Sequence, residues 1–307
     1  MKKNIRTRII AWSIISCIIF AIMIAGITSI MLSGNHSGWE IPSITFFDED
    51  FSSYSSGNTE FPAEDIRSLK INWIAGEVVF AKSSNENIVI SEEDSNSDSR
   101  MKWKLENGVL TVNSGERKFG LFFSAQSSKR LVVNIPEKIR LTEIKVNTAS
   151  ASVTADRLSA SDVNISTASG YIQVDKLDAR DSHIENVSGS IMLNCTDIST
   201  LHTESVSGNT EVSGNCREVR MESVSGNMEL ELSKTTESIK TETVSGDTRI
   251  RLTDMSKGFT LDYESVSGVL SKSLSGETFD RTFVYGDGKA IVHCESVSGN
   301  FIINQLN

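Results

Sequence analysis

Residues Glu204–Asn227 read ESVSGNTEVSGNCREVRMESVSGN, and the two copies of ESVSGN in this stretch decide the fold. Gly208 and Gly226, which mark the copies, are 18 residues apart. Working outward, the residue in the glycine's place recurs as Ala151, Gly170, Gly189, Gly208, Gly226, Gly246, Gly268 and Gly299, at spacings of 19, 19, 19, 18, 20, 22 and 31. Self-similarity at about 20 residues is the mark of a solenoid. Apolar residues repeat around each glycine. Seven before it stand Ile144, Val163, Leu201, Val219, Ile239, Leu261 and Val292, with Ser182 the exception; two after it stand Val153, Ile172, Ile191, Met228, Leu270 and Phe301. Alternation at period two in short runs means strands, and no sustained helical period is present. The spacing predicts an all-β domain: a single-stranded parallel β-helix of about 19–20 residues per coil, each coil advancing about 4.8 Å. A lone coil cannot bury its own apolar face, so neighbours supply the core.

The same pattern occurs once far upstream, where Leu69, Ile71, Ile74, Gly76, Val78 and Phe80 predict a first coil. Strand candidates follow at 87–91, 101–105, 109–113 and 130–135, and Asn107-Gly108 is a hairpin turn signal. A second hairpin is expected around Gly286-Asp287-Gly288, inside the longest spacing. Irregular ends of this kind cap a solenoid's open edges.

The VSG repeats, the LKINWIAGEVVF opening and the GDGKAIVHCESVSGNFIIN closing resemble the bacterial putative-adhesin-like domain of unknown function, and within it the membrane-anchored LiaG type. The resemblance covers roughly residues 66–307. It implies a β-helical domain at the envelope of a Gram-positive bacterium. It brings no catalytic residues, and a fold does not fix a function.

The N-terminus has a different character. Lys2, Lys3, Arg6 and Arg8 precede Ile9–Leu32, 24 residues without a charge, which suffices for a helix across about 30 Å of hydrocarbon. The positive charge lies before the span, so residues 1–8 are expected as a cytoplasmic tail, 9–32 as a transmembrane helix and the remainder outside. A cleaved signal peptide wants a shorter apolar run. A lipoprotein box at Cys17 would be followed by polar residues, whereas Ile18, Ile19 and Phe20 continue the apolar run. An uncleaved single-pass anchor is the preferred reading, with the domain extracellular. Residues 33–65 show no period and are expected as an extracytoplasmic linker.

Composition excludes several functions. The chain of 307 residues has net charge −10, which disfavours nucleic-acid partners. The elbow GxSxG, HExxH and CxxC are absent, so no hydrolase or redox motif stands. Cys195 and Cys216 are 21 residues apart, about one coil, which leaves a disulfide open.

The informative chemistry is in rows. Four before the glycine stand Glu185, Glu204, Glu222, Glu242, Glu264 and Glu295; two residues earlier stand His183, His202, Arg220, Lys240, Asp262 and His293. Stacked carboxylates about 5 Å apart repel, and the neighbouring row can relieve them. The plainer reading is a charge-compensated solvated face. The sharper one is a divalent cation, Ca²⁺ on carboxylates or a transition metal on His183, Glu185, His202 and Glu204. Because Asp262 accompanies Glu264, that coil is expected to carry the worst repulsion. No cofactor is otherwise implied. Three functions follow: a non-catalytic adhesin-like module touching wall polymer or an envelope membrane protein; a regulatory accessory of an envelope stress response; and, ranked last, a β-helical carbohydrate-active enzyme, which would need one converging acid/base pair rather than rows.

Overall fold

A computed structural model describes residues 51–93, 100–115, 129–233, 236–254, 256, 258–279 and 281–305. The chain divides into two units, Met1–Tyr54 and Ser55–Asn307. The expected tail, transmembrane helix and first part of the linker lie outside the described residues. Among the described residues no helix is long and apolar enough to cross a membrane.

The second unit is all-β. Its first strands are β1 (Ser55–Ser56), β2 (Thr59–Pro62), β3 (Ser68–Lys82), β4 (Asn87–Glu93), β5 (Lys102–Glu106), β6 (Val109–Asn113) and β7 (Lys129–Ile135). The regular array comprises β8 (Leu141–Ala155), β9 (Leu158–Ser169), β10 (Ile172–Ser188), β11 (Ile191–Ser207), β12 (Thr210–Ser225), β13 (Met228–Leu232), β14 (Ser238–Ser245) and β15 (Thr248–Leu252). The end holds β16 (Phe259–Ser267), β17 (Leu270–Lys272), β18 (Glu277–Phe279), β19 (Thr282–Tyr285), β20 (Ala290–Ser298) and β21 (Phe301–Gln305). Among the described residues of this unit the helical element is one 3₁₀ turn, Ala63–Asp65.

The repeat pattern becomes a parallel ladder. Ile165 pairs with Ile184, Ile184 with Thr203, Thr203 with Met221, and Met221 with Thr241. Within β10 the buried positions are Ile172 and Val174, then Leu177 and Ala179, then Ser182, Ile184 and Asn186. Alternation therefore slips at 175–176 and 180–181, which divides a coil into three inward-facing runs. The inward rows Ile144, Val163, Leu201, Val219, Ile239, Val292 and Leu261 are buried. Each such side chain contributes about 1.5–3 kcal/mol.

The corner glycine is required by the stack. Gly208 has φ +136°, and a Cβ there would come within 1.9 Å of the Gly189 carbonyl oxygen in the preceding coil. Beside it runs an asparagine ladder. Asn209 Oδ1 accepts from the Asn227 N–H, Asn227 Oδ1 from Asp247 N–H, Asp247 Oδ1 from Asn300 N–H, and Asn300 Oδ1 from Val269 N–H.

Spatial order departs from chain order at both ends. β20 lies between β14 and β16, with Lys240 paired to His293 and His293 to Asp262. β21 likewise lies between β15 and β17. At the other end β3 is sandwiched between β8 and the pair β6 and β7. Each end is then closed by antiparallel strands: β4 on β7 and β5 on β6 at one end, β18 and β19 at the other. The predicted turn is present, with Asn107 at φ 51° and Gly108 at φ 74°. Within the stretch expected as a linker, β1 pairs with β5 and β2 with β4, so Ser55–Pro62 forms part of this end.

The cysteine question resolves toward thiols. Cys195, Cys216 and Cys294 are free and buried. A hydrogen bond with the Cys195 thiol, together with burial, pushes the Cys216 thiol well above its ordinary range.

Candidate functional site

The glutamate row forms as one line of paired residues: Ser166, Glu185, Glu204, Glu222, Glu242, Glu295 and Glu264. Beside it runs Asn164, His183, His202, Arg220, Lys240, His293 and Asp262. Both sets sit on the outward side because they occupy the odd positions between buried Ser182, Ile184 and Asn186 and their equivalents.

The two rows interlock. His183 Nε2 is 2.5 Å from Glu185 Oε1 and 3.7 Å from Glu204 Oε1. His202 Nε2 is 3.3 Å from Glu204 Oε1 and 3.2 Å from Glu222 Oε1. Arg220 pairs with Glu222 and lies 3.7 Å from Glu242, which also pairs with Lys240. His293 Nε2 is 2.6 Å from Glu295, and its Nδ1 is 3.3 Å from Asp262. Each His, Arg or Lys of the second row thus contacts its own coil and, in most cases, a neighbouring one.

Titration follows these contacts. The hydrogen bond to Glu185 raises His183 above its ordinary value, and the Glu295 bond does the same for His293. The His183 bond holds Glu185 below the usual carboxylate range. Burial works against Glu222, yet its bonds to His202 and Arg220 prevail and its pKa falls. Glu204 moves up, chiefly through burial, with repulsion from Glu222 and Glu185 adding to it. Repulsion along the row therefore does not lift every inner glutamate: Glu204 goes up while its neighbours go down.

The expected weak point at Glu264 is corrected by the fold. Arg281 Nη1, immediately before β19, donates to Glu264 Oε1 at 2.8 Å. Asp262 faces His293 rather than standing unopposed. Both partners come from the rearranged end, which no row in the sequence announces.

A second row was not read from the sequence. Three before the glycine, Thr148, Thr167, Asn186, Ser205, Ser223, Thr243 and Ser296 point inward and are buried. Thr148 Oγ1 donates to Ala151 O at 2.9 Å, Asn186 Nδ2 to Gly170 O at 2.8 Å, and Ser205 Oγ to Gly208 O at 3.5 Å. Thr148, Thr167, Asn186 and Ser205 thus tie corner carbonyls, a structural duty that the Ser223, Thr243 and Ser296 hydroxyls do not share. Their signal was available as an unbroken Thr/Asn/Ser column at a position whose parity is inward.

His183, His202 and Glu204 each offer one donor atom, all within 4.8 Å of one another. Glu185 stands against His183, so the four residues singled out as transition-metal candidates do come together. Elsewhere a shallow groove of about 190 Å³ is lined by Lys82, Pro136, Glu137, Asp156, Arg157 and Lys176 among others. Lys82 Nζ lies 2.5 Å from Glu137 Oε2, both exposed.

Comparisons place this architecture. No curated protein matches the chain. Among solved structures, a "putative adhesin" from Bacteroides fragilis NCTC 9343 is 12% identical, with 81% of this chain and 96% of that one covered and a TM-score of 0.49. A "putative lipid binding protein" from Parabacteroides distasonis ATCC 8503 is 15% identical over 81% and 96% of the two chains, TM-score 0.49. A "putative cell adhesion protein" from Clostridium sporogenes ATCC 15579 is 15% identical over 82% and 100%, TM-score 0.30. The profile of the Toastrack DUF4097 domain, a domain of unknown function, matches residues 66–304, and the chain belongs to that family.

Proposed function

We propose that the chain is a non-catalytic, adhesin-like interaction module of the cell envelope, held to the membrane by residues 9–32 with its β-solenoid outside. The observation that carries this reading is the interlocked face of Glu185 to Glu264 and its His, Arg and Lys companions. It repeats one chemistry over six stacked coils, roughly 24 Å at the interstrand spacing. A periodic polar strip of that length suits an extended polymer or a broad protein surface. An enzyme instead gathers unlike groups at one point.

The experiment is in cells. Protease added to wall-stripped cells should remove the solenoid and leave a short anchored fragment; full protection would overturn the topology. Crosslinking of intact cells, followed by capture of the full chain, should recover wall polymer or an envelope protein. Replacing Glu204, Glu222 and Glu242 with Gln should reduce that recovery. Unchanged recovery would move the contact surface elsewhere. Capture of a membrane signalling protein alone would favour the regulatory reading, in which the eight-residue tail needs a membrane partner.

A further inference from the structure

We propose that His183, His202 and Glu204 form a divalent transition-metal site bridging two neighbouring coils. The site lies on the face described above, but its existence does not depend on what that face touches. His183 belongs to β10, and His202 and Glu204 to β11. The parallel register sets His183 beside His202 and Glu185 beside Glu204.

The geometry is close to what a tetrahedral ion needs. Zn²⁺ bonds of about 2.0–2.1 Å separate donor atoms by roughly 3.4 Å. Glu204 Oε1 is 3.3 Å from His202 Nε2 and 3.7 Å from His183 Nε2. The two imidazoles stand edge to face, with centroids 4.6 Å apart and planes at 79°. Small side-chain rotations bring three donors onto one ion. Two nitrogens and one carboxylate leave a fourth position, and two further carboxylates stand beside the ring nitrogens: Glu185 Oε1 2.5 Å from His183 Nε2 and Glu222 Oε1 3.2 Å from His202 Nε2. All three side chains are about one-third exposed or slightly less, so an ion can enter from solvent.

The donor set selects the ion. Ca²⁺ takes six to eight oxygens, whereas imidazole pairs favour Zn²⁺, Cu²⁺ or Ni²⁺. The rest of the row explains why the site falls here. One coil before, the equivalents are Asn164 and Ser166. One and two coils after, Arg220 and Lys240 put fixed cations where an ion would sit. His293 stands between Lys240 and Asp262, so it is a single imidazole with a cation on one side. Adjacent histidines occur at one step of the row.

The test uses the purified, tag-free full chain stripped with chelator and titrated with Zn²⁺ by calorimetry. Co²⁺ serves as an optical probe of coordination. The expectation is one saturable Zn²⁺ per chain with a dissociation constant on the order of micromolar or tighter. Co²⁺ should give the strong visible bands of a four-coordinate ion. His183→Gln and His202→Gln, singly, should each weaken Zn²⁺ binding roughly tenfold or more and abolish the Co²⁺ bands, while His293→Gln changes neither. Parent-like far-UV circular dichroism and cooperative metal-free melts of the variants would show that the fold survived. Absence of saturable binding, or equal binding by the His202→Gln chain, would overturn the site and leave His183 and His202 as members of the ion-pair zipper only.

Discussion

At the N-terminal end of the stack, β3 is covered along Ser68–Asn72 by β6 and along Gly76–Lys82 by β7, and β4, β5, β1 and β2 extend that cover. Inside it, Lys129 Nζ lies 2.8 Å from Glu92 Oε1, with the two side chains 7% and 2% exposed. Lys129 Nζ also donates to Ser114 O, and Glu92 Oε2 accepts from the Met101 N–H. At the C-terminal end, β19 covers β16 only over Phe259–Asp262, and the described pairing of β17 is with β21 on its inner side. Phe283 is buried against Phe259, with Lys272 over its ring, but Val269 and Phe279 are 67% and 61% exposed. One end is a broad lid with a buried ion pair and the other a narrow flap. Both interrupt the row of open strand edges that a bare solenoid would present. The thin end is therefore the place where opening should start.

The sharpest test of the broad lid is Lys129→Met, which leaves the Glu92 carboxylate buried without its cation. It should cost about 3–5 kcal/mol in denaturant unfolding, and adding Glu92→Gln should recover much of that. A loss under 1 kcal/mol, read on the scale of an exposed ion pair, would remove the contrast between the ends. In the middle of the stack, Gly208→Ala should cost on the order of 2–3 kcal/mol, because a positive φ and a backbone oxygen both oppose the new methyl. Thermal melts against the parent would check it.

The interlocked face joins the middle of the stack to the thin end, and pH reports on it. His183 and His293 have raised folded pKa values, so the folded state holds more protons than the unfolded above about pH 6.5. Their contribution is full below 6.5 and fades as pH rises through the folded values. Glu185 and Glu222 have lowered values, so their contribution is present above about 4.5 and is lost as pH falls through the folded ones. Glu204, raised, is relieved by acid. Stability should thus rise modestly from pH 8 to 6 and fall below 4. His183→Gln should flatten the upper limb, which melts at several pH values would reveal. The smallest effect is expected at the flap: Phe279→Ser should change stability by about 0.5 kcal/mol or less, because Phe279 already faces solvent. Hydrogen exchange should show 277–285 opening before 129–135.

Much of this was legible because a parallel stack converts sequence position into a row. The glutamate line, the His/Arg/Lys line and the apolar lines needed only the offset from each glycine. Neighbour identity was not legible at the ends. Every coil carries the same pattern, so Ile239 fits against Val292 as readily as against Leu261, and nothing in the motif ranks the two. Antiparallel cover such as β4 on β7 joins residues far apart and leaves no period. That is why Arg281 beside Glu264 was missed, and with it the correct charge balance of the outermost coil. The candidate metal residues were legible as a pair of histidines one coil apart. Glu204 stood with them in the same offset register, and what the sequence withheld was the side-chain orientation that sets Glu204 Oε1 within 3.7 Å of both rings.

The inserted final coil has a consequence for how the chain is made. From β8 to β15 each coil pairs with the one before it in the chain, so these coils can add in the order in which they are made. β16 cannot, because its parallel partner is β20, and β20 is the strand that meets β14. A chain halted before Ala290 would hold a finished stack, an outer coil and a hairpin with nothing between them. The stretch from Ala290 to Gln305 acts as a keystone set after the arch it closes. Loss of Ala290–Gln305 would therefore release the stretch from Phe259 onward, and β20 must be made before that end of the molecule can form.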